Sequence, residues 1–379
     1  MICIVGGGVA GLLTATMLKH KEALIFEALP MIASRDHCAG IVSTETCQRL
    51  RAKHLMDSEY NSAIIDVGLL KIEIRSEKPF AVHIDRLALE KELAERIEEM
   101  GHRIELKSLV INAQITNRQV AVKISRKGCI SEVTCEKLVV AEGFSRRLSS
   151  MLGLEAVRDA FVGAQMLVEL GHRIDESCLR VKFDERLFPR GFAWLAPLSY
   201  GREALVGIVC QPPISNPITM LKSVARLLGL EIRLVKKVFG GHVFAGYPLR
   251  IIGRKGFVVG IGDCVSMVKS LSGGGLYAIS VAAPIVARFV EGASIYEIER
   301  LTNLIKELRI GYLMHQELHR WLKFFGFSTN RKFTISLDIS RLSYDKYLET
   351  LVTMMKTFGT DRMRIRWSTE EMSSEALHS

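Results

Sequence analysis

Three glycines spaced Gly6-x-Gly8-x-x-Gly11 sit between two short apolar runs, Ile2-Cys3-Ile4-Val5 and Ala23-Leu24-Ile25-Phe26. No other feature constrains the fold as tightly. A β-branched run of four suits a strand buried on both faces. Leu12 to His20 has helical character, and Glu27 closes the second run. The spacing predicts a strand, a tight turn, a helix and a parallel strand. Gly6 permits the turn, Gly8 lets backbone approach a pyrophosphate, and Gly11 lets helix and strand pack closely. Free N–H groups and the positive end of the helix dipole favour phosphate there. Gly6, Gly8, Ala10 and Gly11 are therefore the expected pyrophosphate cradle, with Glu27 placed to accept ribose hydroxyls. A carboxylate at that point disfavours a ribose 2′-phosphate, so the unit is of Rossmann type and suits FAD or NAD over NADP.

The far end of the chain separates these two. Phe257 to Asp263 is another apolar run ending Gly262-Asp263, followed by Ser272-Gly273-Gly274-Gly275-Leu276 and a helical stretch. This resembles the Gly-Asp motif of the large two-domain FAD family that includes aromatic hydroxylases. The resemblance implies FAD, with Asp263 at its ribityl or pyrophosphate region and Gly275 and Leu276 at its ring. It also implies a cofactor contact from Arg86, which follows Asp85 at a helix start, and a backbone contact to adenine from Val110. Leu138 to Arg147 resembles that family's Asp-Gly motif with Glu142 in place of Asp, which weakens any nicotinamide contact there.

Pro189-Arg190-Gly191-Phe192-Ala193-Trp194-Leu195-Ala196-Pro197 resembles the P-x-G-[YF]-x-W-x-F-P signature of the geranylgeranyl reductase family, with Ala196 in place of the usual Phe. His37-Cys38-Ala39-Gly40-Ile41 resembles that family's Cys-containing loop, which implies Cys38, Ala39 and Gly40 beside the flavin. The resemblance covers residues 1 to 295. Strand alternation predicts Phe192 and Trp194 on one face, a rigid aromatic surface for a long apolar chain. Ala196 predicts a locally wider pocket. The implied reaction is saturation of isoprenoid C=C bonds in membrane lipids of archaeal type, with hydride from reduced FAD. An isolated trisubstituted alkene accepts hydride only if an acid supplies a proton. Cys38 is the first candidate, with His37 or a bound water behind it; Cys38, Phe192 and Trp194 form the expected catalytic set. One alternative is an FAD-dependent monooxygenase of the aromatic-hydroxylase type, another a lipid carrier that keeps FAD for structure. There is no W-x-W-x-x-P segment of a flavin halogenase.

The 379 residues include 51 Lys and Arg against 41 Asp and Glu. Such an excess suits an anionic partner or simply a solvated basic surface, but no long basic block interleaves with aromatics, which argues against nucleic acid. Eight cysteines lack metal-ligand spacing, and no secretory leader is evident, so a reduced cytoplasmic protein is expected, peripheral at the membrane if its lipid demands it. Ser270 to Ala287 carries no charge over 18 residues, yet its glycines and Pro284 favour a buried helix over a membrane span. The expected architecture is α/β: a Rossmann-type FAD-binding domain (1–150 and 250–295), an inserted mixed β-sheet substrate domain (151–249) and a C-terminal helical region (296–379). In that last region Trp321, Phe324, Phe325 and Phe327 stand near Arg320, Lys323, Arg331 and Lys332, which suits packing over the substrate domain or a membrane-surface contact. Expected partners are an isoprenoid lipid and an electron donor, either ferredoxin or NAD(P)H, with the chain acting as a monomer.

Overall fold

The computed structural model describes residues 1–116, 118–213, 216–325, 331–339, 344–346 and 363–369. The chain divides into two compact units, one of residues 1–55, 84–160 and 244–313, the other of residues 56–83, 161–243 and 314–379.

The first unit is built on a five-stranded parallel sheet. Ile2–Val5 lies between Ala23–Phe26 and Lys137–Val140; Arg103–Glu105 and Val258–Gly260 complete the outer positions. Every residue of Ile2–Val5 and Ala23–Phe26 is buried, as covered parallel strands require. The helix Val9–Thr16 is buried along its whole length and packs against the helices Arg86–Glu99 and Leu276–Val290. In Arg86–Glu99 the apolar residues Leu89, Leu93 and Ile97 recur every fourth position and face inward. Leu276–Val290 is buried on nearly every face, and no helix among the described residues is long and apolar enough to cross a membrane. A three-stranded antiparallel meander, Leu109–Thr116, Gln119–Arg126 and Cys129–Cys135, belongs to the same unit.

The second unit holds most of a nine-stranded mixed sheet. Phe192–Leu198 pairs antiparallel with Glu203–Cys210 on one side and with Cys178–Lys182 on the other. Glu203–Cys210 pairs in turn with residues 162–169 of the strand Glu155–Leu170. One face of these strands, carrying Met166, Val168, Ala193, Leu195, Val206 and Ile208, packs on Leu221, Val224 and Ala225 of the helix Pro217–Leu227. Asn216 caps that helix by accepting from the Thr219 N–H at 3.1 Å.

Two features depart from the boundaries expected from sequence. Residues 62–76, expected within the cofactor domain, form the strands Ser62–Asp66 and Leu70–Ser76 of the second unit's sheet. Among the described residues after 296, Tyr296–Glu299 and Thr302–Phe325 are helical, whereas Arg331–Ile339 and Met363–Thr369 are strands. The reason is a matched apolar register: Ile335 opposes Ile72 and Leu337 opposes Ile74 in a parallel pair. Trp321 is 40% exposed, whereas Phe327 and the side chains of Phe324, Phe325, Arg331 and Lys332 lie outside the described residues.

Candidate functional site

The glycine turn has the geometry its spacing requires. Gly6 adopts φ +105°, and a Cβ there would stand 2.2 Å from the Ala141 carbonyl oxygen. A Cβ on Gly11 would stand 2.0 Å from the Gly6 oxygen, so helix and strand are in backbone contact. Gly8 differs. A Cβ added there meets nothing nearer than Glu90 Oε1 at 3.8 Å, so no protein atom demands a glycine. The open space lies at the N-terminus of Val9–Thr16, where a diphosphate would need it.

Glu27 is fixed at the end of its strand. Its Oε2 accepts from the Gly7 N–H at 2.7 Å and its Oε1 from the Leu29 N–H at 2.8 Å. A carboxylate has further lone pairs, so both oxygens keep capacity for ribose hydroxyls. The chain from Glu105 to Ser108 runs alongside through Lys107 N–H to Leu29 O and Ser108 N–H to Glu27 O, which brings buried Val110 two residues from that edge.

Arg86 opens a helix capped by Asp85, which accepts from the Ala88 N–H at 3.0 Å. Its guanidinium pairs with Glu90 at 2.6 Å, and both side chains are nearly fully buried. Glu90 also lies beside Gly8, its Oε1 3.8 Å from where a Cβ on that residue would be. Burial pushes its carboxyl above the ordinary range despite the pull of Arg86. The sequence reading missed Glu90, although it follows Arg86 by four residues on a helix, the spacing of an ion pair. Arg86 Nη1 lies 3.5 Å from His37 Nδ1, and burial, then the Arg86 charge, hold that imidazole toward its neutral form. Cys38 is half-buried in the loop leading to Gly40, whose carbonyl accepts from the Ile84 N–H at 2.9 Å.

The Gly-Asp segment is brought to the same place. Gly262 has φ +78°, and a Cβ there would stand 3.0 Å from that of Ala10. Asp263 Oδ1 lies beside Gly275, 3.4 Å from where a Cβ on that residue would be. Burial raises the Asp263 carboxyl, opposed first by Arg86 and then by Arg158. Gly275 caps Leu276–Val290, whose first N–H groups have no intrahelical partner. The tertiary fold thus gathers Ala10, Arg86, Asp263 and Gly275 from three separate stretches of sequence. Arg158 was not foreseen: it lies 3.4 Å above the Phe244 ring, and burial lowers its guanidinium to about 10. Glu142 accepts from the Leu148 and Ser149 N–H groups at 3.1 and 2.7 Å, so its carboxylate caps the helix Arg147–Met151.

In the second unit, Phe192 and Trp194 share one face of their strand, with ring centroids 5.8 Å apart. Trp194 opposes Gly207, which opposes Gln165, so the three lie in one row across the sheet. The indole lies over Gly207. Gly191 is required by the neighbouring strand, since a Cβ there would stand 1.8 Å from the Val209 carbonyl oxygen. The strand runs on through Pro197 to Leu198 rather than stopping at the proline, because Pro197 lies beyond the last paired residue, Leu195, on the Cys178–Lys182 side. Ala196 is fully buried.

Cradle, buried guanidinium and buried carboxylate fit a dinucleotide with a diphosphate bridge. No protein-family model matches the chain. By structure it is similar to a geranylgeranyl bacteriochlorophyll reductase-like protein of Thermoplasma acidophilum, with TM-score 0.75 and 19% identity over 94% of this chain and 96% of that one. It also resembles p-nitrophenol 4-monooxygenase of Pseudomonas putida, with TM-score 0.64 and 15% identity over 85% and 89%. These define the class by fold: the chain has the two-unit fold shared by that reductase-like protein and by the monooxygenase. Within that class the sequence likeness is to geranylgeranyl reductases. The digeranylgeranylglycerophospholipid reductase of Methanococcus aeolicus is 24% identical over 253 residues, 63% of each chain. One from Methanothermobacter thermautotrophicus is 26% identical over 299 residues, 75% of this chain and 76% of that one. The match thus spans less than two thirds of the first relative and about three quarters of the second.

Proposed function

We propose that the protein is an FAD-dependent reductase that saturates C=C bonds in the geranylgeranyl chains of membrane lipids. The observation that carries this reading is the aromatic pair Phe192 and Trp194 on one face of the second unit's sheet, in a segment whose sequence likeness runs to lipid reductases. Gly6, Gly8, Ala10 and Gly11 bind the diphosphate, Glu27 the adenosine ribose, and Val110 the adenine through its backbone. Arg86 and Asp263 orient the centre of the cofactor. Cys38, Ala39, Gly40, Gly275 and Leu276 flank its ring. When bound and reduced, FAD supplies hydride. Phe192 and Trp194 hold the isoprenoid against rigid apolar surface and exclude water from it. The basic surface and an apolar lipid substrate support a peripheral membrane contact, and the electrons come from ferredoxin or NAD(P)H.

Monooxygenases share the fold with this chain, whereas the sequence likeness runs to reductases, which favours reduction over hydroxylation. The test is anaerobic incubation of the dithionite-reduced protein with a phospholipid bearing geranylgeranyl chains. A gain of two mass units per saturated bond is expected. An unchanged lipid, with oxygen uptake coupled to NAD(P)H and a phenol in a parallel aerobic assay, overturns the reading.

A further inference from the structure

Lys269 is only 4% exposed, although a lysine is rarely buried without a task. It belongs to the first unit and lies between Asp263 and the helix Leu276–Val290. Its N–H donates to the Gly274 carbonyl at 3.0 Å, and its own carbonyl accepts from the Ser272 and Gly273 N–H groups at 3.2 and 2.8 Å. The turn so closed folds the side chain back along the glycines. Lys269 Cε stands 3.4 Å, and Nζ 4.0 Å, from where a Cβ on Gly274 would be. The ammonium is thereby held beside the residue that precedes the capping Gly275.

Other features of the same stretch suit an anion. The first N–H groups of Leu276–Val290 form the positive end of a 15-residue helix. Ser266 is fully buried, and its Oγ has no partner among the described residues. The remaining charges at this end are Asp263, Arg158, and Arg86 with its partner Glu90. Burial draws the Asp263 carboxyl toward its neutral form, which leaves the balance positive. In a medium of low dielectric, an ammonium acts strongly on a charge that arises beside it.

We propose that Lys269 sets the redox potential of the bound flavin by stabilising its reduced form as an anion. This rests on the reading above that places the FAD ring at Gly275 and Leu276. Reduction adds two electrons, from ferredoxin or NAD(P)H, and one proton, from NAD(P)H or water; one negative charge is left on the ring. The Lys269 ammonium attracts that charge and finds none on the oxidised ring, so reduced FAD is held more tightly than oxidised FAD. Loss of a hydride to the substrate returns the ring to neutrality.

The experiment titrates FAD-loaded protein with dithionite under argon against a dye of known potential, and titrates flavin-free protein with FAD. K269M should weaken reduced relative to oxidised FAD by ~10-fold or more, a fall in midpoint potential of ~30 mV per tenfold. Its affinity for oxidised FAD should change far less, and K269R, which keeps the charge, should stay near wild type. Wild-type protein should take up one proton per two electrons at mildly acidic pH, where free FAD takes up two. Its potential should then fall by ~30 mV per pH unit rather than ~60 mV, and K269M should restore the steeper slope. A wild-type potential in K269M overturns the assignment. So does an equal loss of affinity for both redox forms, which is the mark of a merely structural lysine. If K269M fails to fold, the wild-type slope carries the test, and a two-proton slope overturns the assignment. If wild-type protein binds no FAD, the cofactor reading itself fails, and this assignment with it.

Discussion

Gly207 and Trp194 are fitted to one another across an antiparallel strand pair: a Cβ on Gly207 would stand 2.0 Å from Cζ2 of the indole. An aromatic ring in a paired strand cannot step aside as a lysine tip can. Gly207→Ala should therefore force the indole off its rotamer and cost about 1–3 kcal/mol. A lower melting temperature with FAD content unchanged is the expected result, and an unaltered melting temperature would mean that the indole does not lie over Gly207.

Gly8 and Gly11 have different tasks although they share one motif. Gly8→Val should leave a folded but colourless protein, because its side chain enters space that only the cofactor would fill. Gly11→Val should fail earlier, at folding, since its Cβ meets the Gly6 oxygen at 2.0 Å. Circular dichroism and flavin absorbance of the two variants separate these outcomes. A yellow Gly8→Val protein would remove this turn from the cofactor site.

Trp194→Ala should depress turnover of long polyprenyl lipids far more than flavin binding. Truncating a buried Trp costs about 3–5 kcal/mol, shared here between fold and substrate. Ala196→Phe should narrow the site or shift chain-length preference, at an overpacking cost of about 1–3 kcal/mol because Ala196 is already buried. Product per folded molecule is the quantity to measure. If Trp194→Ala leaves it unchanged, the aromatic pair is core and not a binding surface.

Asp263 and Glu90 set a pH dependence. Burial raises both carboxyls above their ordinary values of 3.8 and 4.5. Each therefore binds a proton more tightly folded than unfolded. The stability this adds to the flavin-free protein is full below those ordinary values and is lost as pH rises through the raised ones. Asp263→Asn and Glu90→Gln should each flatten the curve in denaturant titrations. Equal slopes in wild type and variants would place both carboxylates in contact with water. Asp263→Ala should also weaken FAD by about 1.5–3 kcal/mol, the worth of one charge-assisted hydrogen bond.

What could be read from sequence was local. The turn at Gly6, the close approach at Gly11, the capping Asp85 and the shared face of Phe192 and Trp194 follow from backbone geometry over a few residues, and so they stand in the sequence as spacings. Glu90 was within reach by the same logic. Tertiary structure alone decided the rest. Residues 62–76 and 331–339 join the second unit's sheet because Ile72 and Ile74 match Ile335 and Leu337 in register, a pairing between stretches separated by most of the chain. Gly207 beneath Trp194, Arg158 over Phe244, and Glu185 on His319 depend in the same way on strand registry and helix packing. A glycine in a strand, an arginine or a histidine on a helix has no local signature. Its meaning comes from the atom opposite, and that atom is set by long-range pairing which no short spacing encodes.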